Sequence, residues 1–305
     1  MRLHTKTLIT LIIVLAASVA NSAEPTLDAG RAYGYLVKVC RIGTRVSGTA
    51  GMVKQQRLLV DHFRRNGAEV RFQSFDAAHP LTGSPVRMNN LIAAWRPELK
   101  QRILLACHYD TRPYPDEDKI NKRGVFLGAN DGASGVALFM EMAHHLSSID
   151  TPYGIDLVCF DGEELVFGKR GKFFLGSEHF SKTYVESKER PYKFGVLVDM
   201  VADRNLRIYM EKNSLKYARE LTIGIFKAAQ EVGAKEFVSR AKHEIQDDHL
   251  PLNRIAKIPT CDLIDFDYGF NNRYWHTTKD VPTNCSGKSL ATVGRVLVHW
   301  LSTVK

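Results

Sequence analysis

The stretch IDLVCFDGEE, Ile155–Glu164, changes character in the middle. Ile155 to Phe160 is a short, mostly apolar run closed by Asp161-Gly162, the pattern of a strand buried on both faces. Glu163 and Glu164 then stand side by side. Adjacent carboxylates repel each other, and each resists losing its water. By itself such a pair reads as a solvated turn. At the end of a buried strand, where open α/β sheets form their clefts, it is placed to work on a ligand or a cation.

Other runs repeat the first half of this pattern. QRILLAC (101–107), NNLIAAW (89–95), FGVLVDMV (194–201) and IPTCDLIDF (258–266) read as strands, and AEVRFQSF (68–75) alternates as a half-buried strand does. Between them lie helical patterns. AGMVKQQRLLVDHFRRNG (50–67) is amphipathic and stops at Gly67, and ASGVALFMEMAHHL (133–146) reads as a helix. SLKYARELTIGIFKAAQEVG (214–233) reads as one long helix closed by Gly233, and SLATVGRVLVHWLSTV (289–304) as a final one. Apolar strands separated by helices predict a single-domain α/β sandwich over 24–305, with a central mixed, largely parallel sheet covered by helices on both faces.

Bulk properties fit that class. The chain has 305 residues, 44% hydrophobic and 25% charged, with a net charge of +9 that no single stretch concentrates. No long basic run or nucleic-acid motif is present, so nucleic acid is not an expected partner. No GxGxxG, P-loop or GxSxG occurs, which disfavours nucleotide-binding and serine-hydrolase readings. The first 23 residues have a basic start, the apolar run LITLIIVLAASVA and small residues before Glu24-Pro25. That is the pattern of an export signal, cleaved after Ala23 or Ala20, and it predicts a periplasmic or secreted protein with no membrane association after cleavage. The cysteines Cys40, Cys107, Cys159, Cys261 and Cys285 match no zinc-ribbon or CxxC spacing. Cys107, Cys159 and Cys261 read as buried thiols. Cys40 and Cys285 are the candidates for a disulfide in an oxidising compartment, and the odd count leaves at least one thiol free.

Strand ends are where the chemistry gathers. ILLAC is followed by His108 and Asp110, DLVCF by Glu163 and Glu164, and FGVLV by Asp199. The strand CDLI leads on to Trp275 and His276, while the loops FLGANDGASG and IQDDHLP add Asp131 and Gln246-Asp247. Imidazole and carboxylate are the ligands of hydrolytic zinc, three protein groups per metal with a position left open. His108 and Asp110, two apart, face the same way, so Asp110 can accept from the far nitrogen of His108. Of the neighbours Glu163 and Glu164, one can hold metal while the other stays free as a base. Each short motif alone is weak; their repetition at unrelated strand ends is what carries the reading.

In this order, HYD, GANDGASG, FDGEE, VLVDM, DDH and YWHT, the chain from about residue 35 onward resembles the M28 zinc aminopeptidases and their relatives, the glutaminyl-peptide cyclotransferases. The resemblance implies metal ligands at His108, Asp131, Glu164, Asp199 and His276, and a general base at Glu163. Two activities follow from it. A cyclotransferase would hold one zinc on Asp131, Glu164 and His276, with Asp199 and Asp247 as an acid network beside Glu163, and would convert an N-terminal glutamine to pyroglutamate. An aminopeptidase would hold a second zinc on His108 and Asp199, with Asp131 shared. IQDDHLP, with Gln246 and Asp247, and Trp275 directly before His276 are similar to the cyclotransferases and favour that reading. Lys169, Asp262 and the peptidase-like GASGVAL depart from the animal cyclotransferases. On either reading the partners are peptide or protein N-termini. A receptor or inert binding domain is disfavoured, because the whole inferred ligand set and the base are present.

Overall fold

Burial of the apolar runs fixes the architecture in the computed structural model, which describes residues 26–187 and 192–305. The predicted export segment 1–23 lies outside the described residues. Helices α1 (Ala29–Cys40) and α2 (Ala50–Arg65) precede β1 (Glu69–Ala78), β2 (Pro85–Trp95) and β3 (Arg102–His108). Then come α3 (Ala133–Met142), β4 (Gly154–Phe160), α4 (Leu175–Ser187), β5 (Tyr192–Asp199) and β6 (Ile208–Glu211). The remainder is α5 (Lys212–Tyr217), α6 (Arg219–Glu231), β7 (Phe237–Lys242), α7 (His249–Arg254), β8 (Thr260–Ile264) and α8 (Gly287–Thr303).

Six strands form one sheet in the order β1-β2-β4-β3-β5-β8. The β3–β4, β3–β5 and β5–β8 pairs are parallel, and the β1–β2 and β2–β4 pairs antiparallel. The mixed, largely parallel sheet is as expected. Every residue of β3, β4 and β8 is buried. The period of two divides their side chains between two cores. Leu105, Cys107, Leu157, Cys159, Val196 and Val198 pack into the larger core, with Leu36, Phe63, Leu138 and Leu297 from the helices. Leu104, Ala106, Val158, Phe160 and Leu197 pack on the opposite face with Phe180 of α4 and Leu252 of α7. Apolar side chains on both faces are the reason these strands read as unbroken hydrophobic runs.

Two expectations need correction, and four elements were not anticipated. The segment 214–233 is not one helix: α5 ends at Tyr217, Ala218 takes φ −142° and ψ 46°, and α6 restarts at Arg219. No glycine or proline marks the break. Glu211 caps the start of α5 by accepting from Asn213 N (2.8 Å) and Ser214 N (2.5 Å), and Thr222 N and Oγ1 both bond to Ala218 O where α6 begins. Secondly, Cys40 and Cys285 are not joined; all five cysteines are free and buried. Burial pushes the Cys40 thiol up to about 11, so both sulfurs serve as apolar filling. The unanticipated elements are α1, α4 and the two-stranded sheet β6–β7, although α1 is amphipathic and capped by Asp28. Of these, α4 has a nearly even mix of polar and apolar residues and β6 is four residues long.

One buried ion pair offers a test of the frame. Arg102, fully buried in β3, pairs with Asp156 of β4, which also accepts from Tyr192 Oη. Removing one partner of such a pair strands the other charge in low dielectric. Asp156→Ala is expected to lower unfolding free energy by about 3–5 kcal/mol, read as a lower denaturant midpoint.

Candidate metal centre

Strand register brings the chemistry together. His108 is level with Phe160 across the parallel β3–β4 pair, so the next residues of both chains meet. Ala106 is level with Leu197 in β5, which puts Asp199 beside His108. The imidazole Nε2 of His108 lies 3.2 Å from Asp199 Oδ1 and 3.2 Å from Asp131 Oδ1. The other oxygen of Asp131 lies 3.3 Å from His276 Nε2, which is 2.9 Å from Glu164 Oε1. Asp131 therefore stands between two donor sets, His108–Asp131–Asp199 and Asp131–Glu164–His276, each with its ligand atoms within 4.8 Å of one another.

The turn that carries Asp131 is built for closeness. Gly132 has φ +88°, and a Cβ there would stand 2.5 Å from Asp110 O. Only glycine fits both demands. Asp280 holds the turn from behind, accepting from Asn130 N (2.7 Å) and Asp131 N (3.1 Å). The side-chain oxygen Oδ2 of Asp131 is buried with no hydrogen-bond partner. A buried carboxylate oxygen that faces an imidazole and a second carboxylate without forming a well-aligned hydrogen bond is what a metal ligand looks like without its cation. The donors, two imidazoles among carboxylates, suit a borderline divalent ion.

Glu163 and Glu164 diverge as expected of neighbours. Glu164 turns to His276 and to Arg112, whose Nη1 lies 2.9 Å from Oε1 and whose backbone N lies 3.1 Å from Oε2. Glu163 faces the cavity, with Oε2 3.9 Å from His108 Nδ1. Asp110 behaves differently from its expected role. Its carboxylate is 3.7 Å from His108 Nδ1, beyond hydrogen-bond reach, and instead accepts from the backbone of Glu163 (3.2 Å) and Glu164 (3.0 Å). Asp110 thus clamps the acid turn, an assignment that sequence spacing does not reveal.

Electrostatics separate the acids. Burial, reinforced by Glu164, Asp248 and Asp247, holds Glu163 well above the usual carboxylate range. Asp247 is raised by burial and by Asp199; Asp199 is raised by burial against the opposing pull of His108. Burial works to raise Asp131 as well, but His108 and His276 outweigh it and hold its carboxyl well below the usual range. Burial would lower His276, yet Glu164 and Asp131 lift it to about 9. Without a cation, protons on the imidazoles balance the carboxylates; a bound metal replaces them.

A cavity of about 460 Å³ opens over these groups, lined by His108, Glu163, Asp199, Gln246, Asp247 and Trp275 among others. Trp275 stacks on His276, with ring centroids 3.7 Å apart, and Phe266 meets Trp275 edge-on. His276 itself sits at φ +53°. Every candidate residue singled out from the sequence thus lies in or behind this cavity. Three others were missed. Arg112 and Asp116 form a two-point pair, and Asp116 Oδ1 lies 3.8 Å from His276 Nδ1. Glu211 accepts from Ile245 N (3.0 Å) and so holds the strand of chain that presents Gln246 and Asp247. The one sequence cue to Arg112 was its place two residues after Asp110.

Comparison with known proteins agrees with this geometry. The model of peptidase family M28 matches residues 90–301. The chain belongs to peptidase family M28. Within it, the solved glutaminyl cyclase of Fimbriiglobus ruber is 41% identical, with a TM-score of 0.87, over 92% of this chain and 96% of that one. A Zn-dependent exopeptidase from Parabacteroides distasonis is 29% identical, with a TM-score of 0.86, over 92% of this chain and 100% of the other. The glutaminyl-peptide cyclotransferase of Drosophila melanogaster is 26% identical over 261 residues, covering 77% of this chain and 70% of its own length. These M28 relatives are enzymes, and among them are both glutaminyl cyclases and a zinc exopeptidase.

Proposed function

We propose that this M28 protein is a zinc-dependent glutaminyl-peptide cyclotransferase, exported by its first 23 residues and acting on peptide or protein N-termini. The observation that carries the reading is the set of three acids at one cavity, the buried Glu163 and Asp247 and the partly buried Asp199, with Asp247 Oδ2 lacking any hydrogen-bond partner. An acid wall of this kind suits a substrate that brings an amine. Asp131, Glu164 and His276 would hold one zinc ion. When bound, the zinc supplies a Lewis acid for the side-chain amide of an N-terminal glutamine.

The chain's own groups then manage the protons. Glu163, with its raised proton affinity, takes the proton from the substrate's α-amine as the amine nitrogen bonds to the side-chain amide carbon. The amide C–N bond breaks, and Glu163 returns that proton to the departing ammonia. Asp199 and Asp247 receive the α-amine and keep a shared proton beside Glu163. Trp275 walls the cavity and excludes water, which would otherwise compete as the attacking group.

A second reading has its own observation. His108, Asp131 and Asp199 form a second donor set, as a two-zinc aminopeptidase would use. Mass spectrometry of a Gln-headed and a Leu-headed peptide after incubation with zinc-loaded protein separates the two. Loss of ammonia from the first with the second intact is the expected result; release of free leucine would sink the cyclase reading. On the cyclase reading His108→Ala leaves zinc at one ion per chain by elemental analysis. A fall from two ions to one would establish the second site.

A further inference from the structure

Two loops face each other at the mouth of the cavity, 113–125 and 267–279. Asp118 fastens them together. Its carboxylate accepts from Thr278 N (2.9 Å) and Thr278 Oγ1 (2.5 Å) across the gap, and from Ile120 N and Asn121 N (both 2.9 Å) in its own loop. Glu117 N adds a bond to His276 O at 3.2 Å. Between the loops runs a groove of about 770 Å³, bounded by Glu117, Ile120, Phe270, Arg273, Trp275 and Lys279. Glu117 and Trp275 line both this groove and the candidate active-site cavity. The groove therefore adjoins that cavity at Glu117 and Trp275.

Its walls are unusual for a free surface. Ile120 is 96% exposed and Phe270 is 78% exposed. Large apolar side chains held this far into water gain most from whatever covers them. The chain keeps Phe270 there at a conformational cost: Phe270, Asn271 and Asn272 have successive φ of +34°, +57° and +58°. Charge adds a sign. Three cations, Lys119, Arg273 and Lys279, lie along the groove against two acids, Glu117 and Asp118, and the four hydrogen bonds to Asp118 occupy its carboxylate. An apolar surface with a cationic rim fits a peptide segment that carries an apolar side chain and carboxylates.

We propose that this groove binds the residues that follow the reacting N-terminal one, and that it selects peptides with an apolar residue and then acidic residues after the first position. The identity of the first residue as glutamine rests on the cyclotransferase reading; the groove's preference does not. An extended chain advances ~3.3–3.6 Å per residue, so a groove contiguous with the cavity acts within the first few positions.

The test compares kcat/KM for Gln-Leu-Glu-Glu amide and Gln-Leu-Lys-Lys amide, with Gln-Gly amide as the reference that does not fill the groove. The acidic peptide is expected to be favoured by about 5-fold or more, the size two exposed charge pairs can give, and added salt should shrink the ratio. Arg273→Glu with Lys279→Glu should invert the preference. Phe270→Ser should slow both leucine-containing peptides and leave Gln-Gly amide unchanged. Equal kcat/KM for the two long peptides, or a preference that charge reversal does not move, would overturn the proposal. So would a variant that loses the Gln-Gly amide rate as well, since that residue would then act on the site itself. If the Gln peptides stay intact and Leu-headed peptides release leucine, the cyclotransferase reading fails alone. The same acidic-against-basic comparison on Leu-headed peptides then decides the groove.

Discussion

Glu163→Gln is expected to lower kcat/KM on a Gln-headed peptide by about 10²–10⁴-fold, the contribution of a positioned general base. Zinc content and thermal unfolding should stay at the wild-type level. The reason lies in how the two glutamates are divided. Glu164 is engaged by His276 (2.9 Å) and by Arg112 (2.9 Å), whereas the Glu163 side chain is held only loosely and faces the cavity. Its backbone is fixed independently, through Asp110, so glutamine keeps the turn and loses only the proton site. Burial raises the proton affinity of Glu163, which is the property a base at near-neutral pH requires. The check is paired elemental analysis and steady-state kinetics on one preparation. A rate within a few-fold of wild type would remove Glu163 from the mechanism.

Asp247→Asn is expected to cost about 10²-fold or more in kcat/KM for cyclisation, with zinc unchanged. Asn keeps an acceptor for Asp248 N, which Asp247 Oδ1 holds at 2.6 Å, so the loop entering α7 survives. What disappears is a buried carboxyl at the cavity, one oxygen of which has no hydrogen-bond partner, and which is raised by burial and by Asp199 and in turn raises Glu163. An aminopeptidase would use a water polarised between metals and would lose much less. Activity near wild type on the Gln peptide would therefore argue against the acid wall as the feature that distinguishes this site.

The M28 assignment also constrains how such results are read. Chains of this one fold include a glutaminyl cyclase and a zinc exopeptidase with TM-scores of 0.87 and 0.86 to this protein. The backbone therefore does not separate the activities, and the side chains at the cavity must. Asp247, Gln246 and Trp275 are the residues of this chain that speak to the choice, and all three line the cavity.

Much of this was legible from the residues alone. The buried strands of the sheet announced themselves, because burial on both faces leaves no room for polar alternation, as in β3 and β4. The candidate ligands were legible for the same reason: charged groups directly after such strands stand out against the apolar run. The break at Ala218 was not legible, since no glycine or proline marks it and the chain resumes a helix at the very next residue. Nor was the true partner of Asp110. Strand geometry put it on the side of His108, but the turn after β4 supplies two backbone N–H groups that bind it better. Arg112 carried little beyond its place after Asp110 and Asp116 carried no pattern, because their role depends on a loop folding back against Glu164 and His276. The sequence by itself determined which residues are buried and which polar groups end the strands, as local spacing and hydrophobicity suffice for that. Only the tertiary structure decided which acid faces the cavity, which is clamped and which cysteines stay apart. Those outcomes depend on distances between segments far apart in the chain, and no local pattern encodes them.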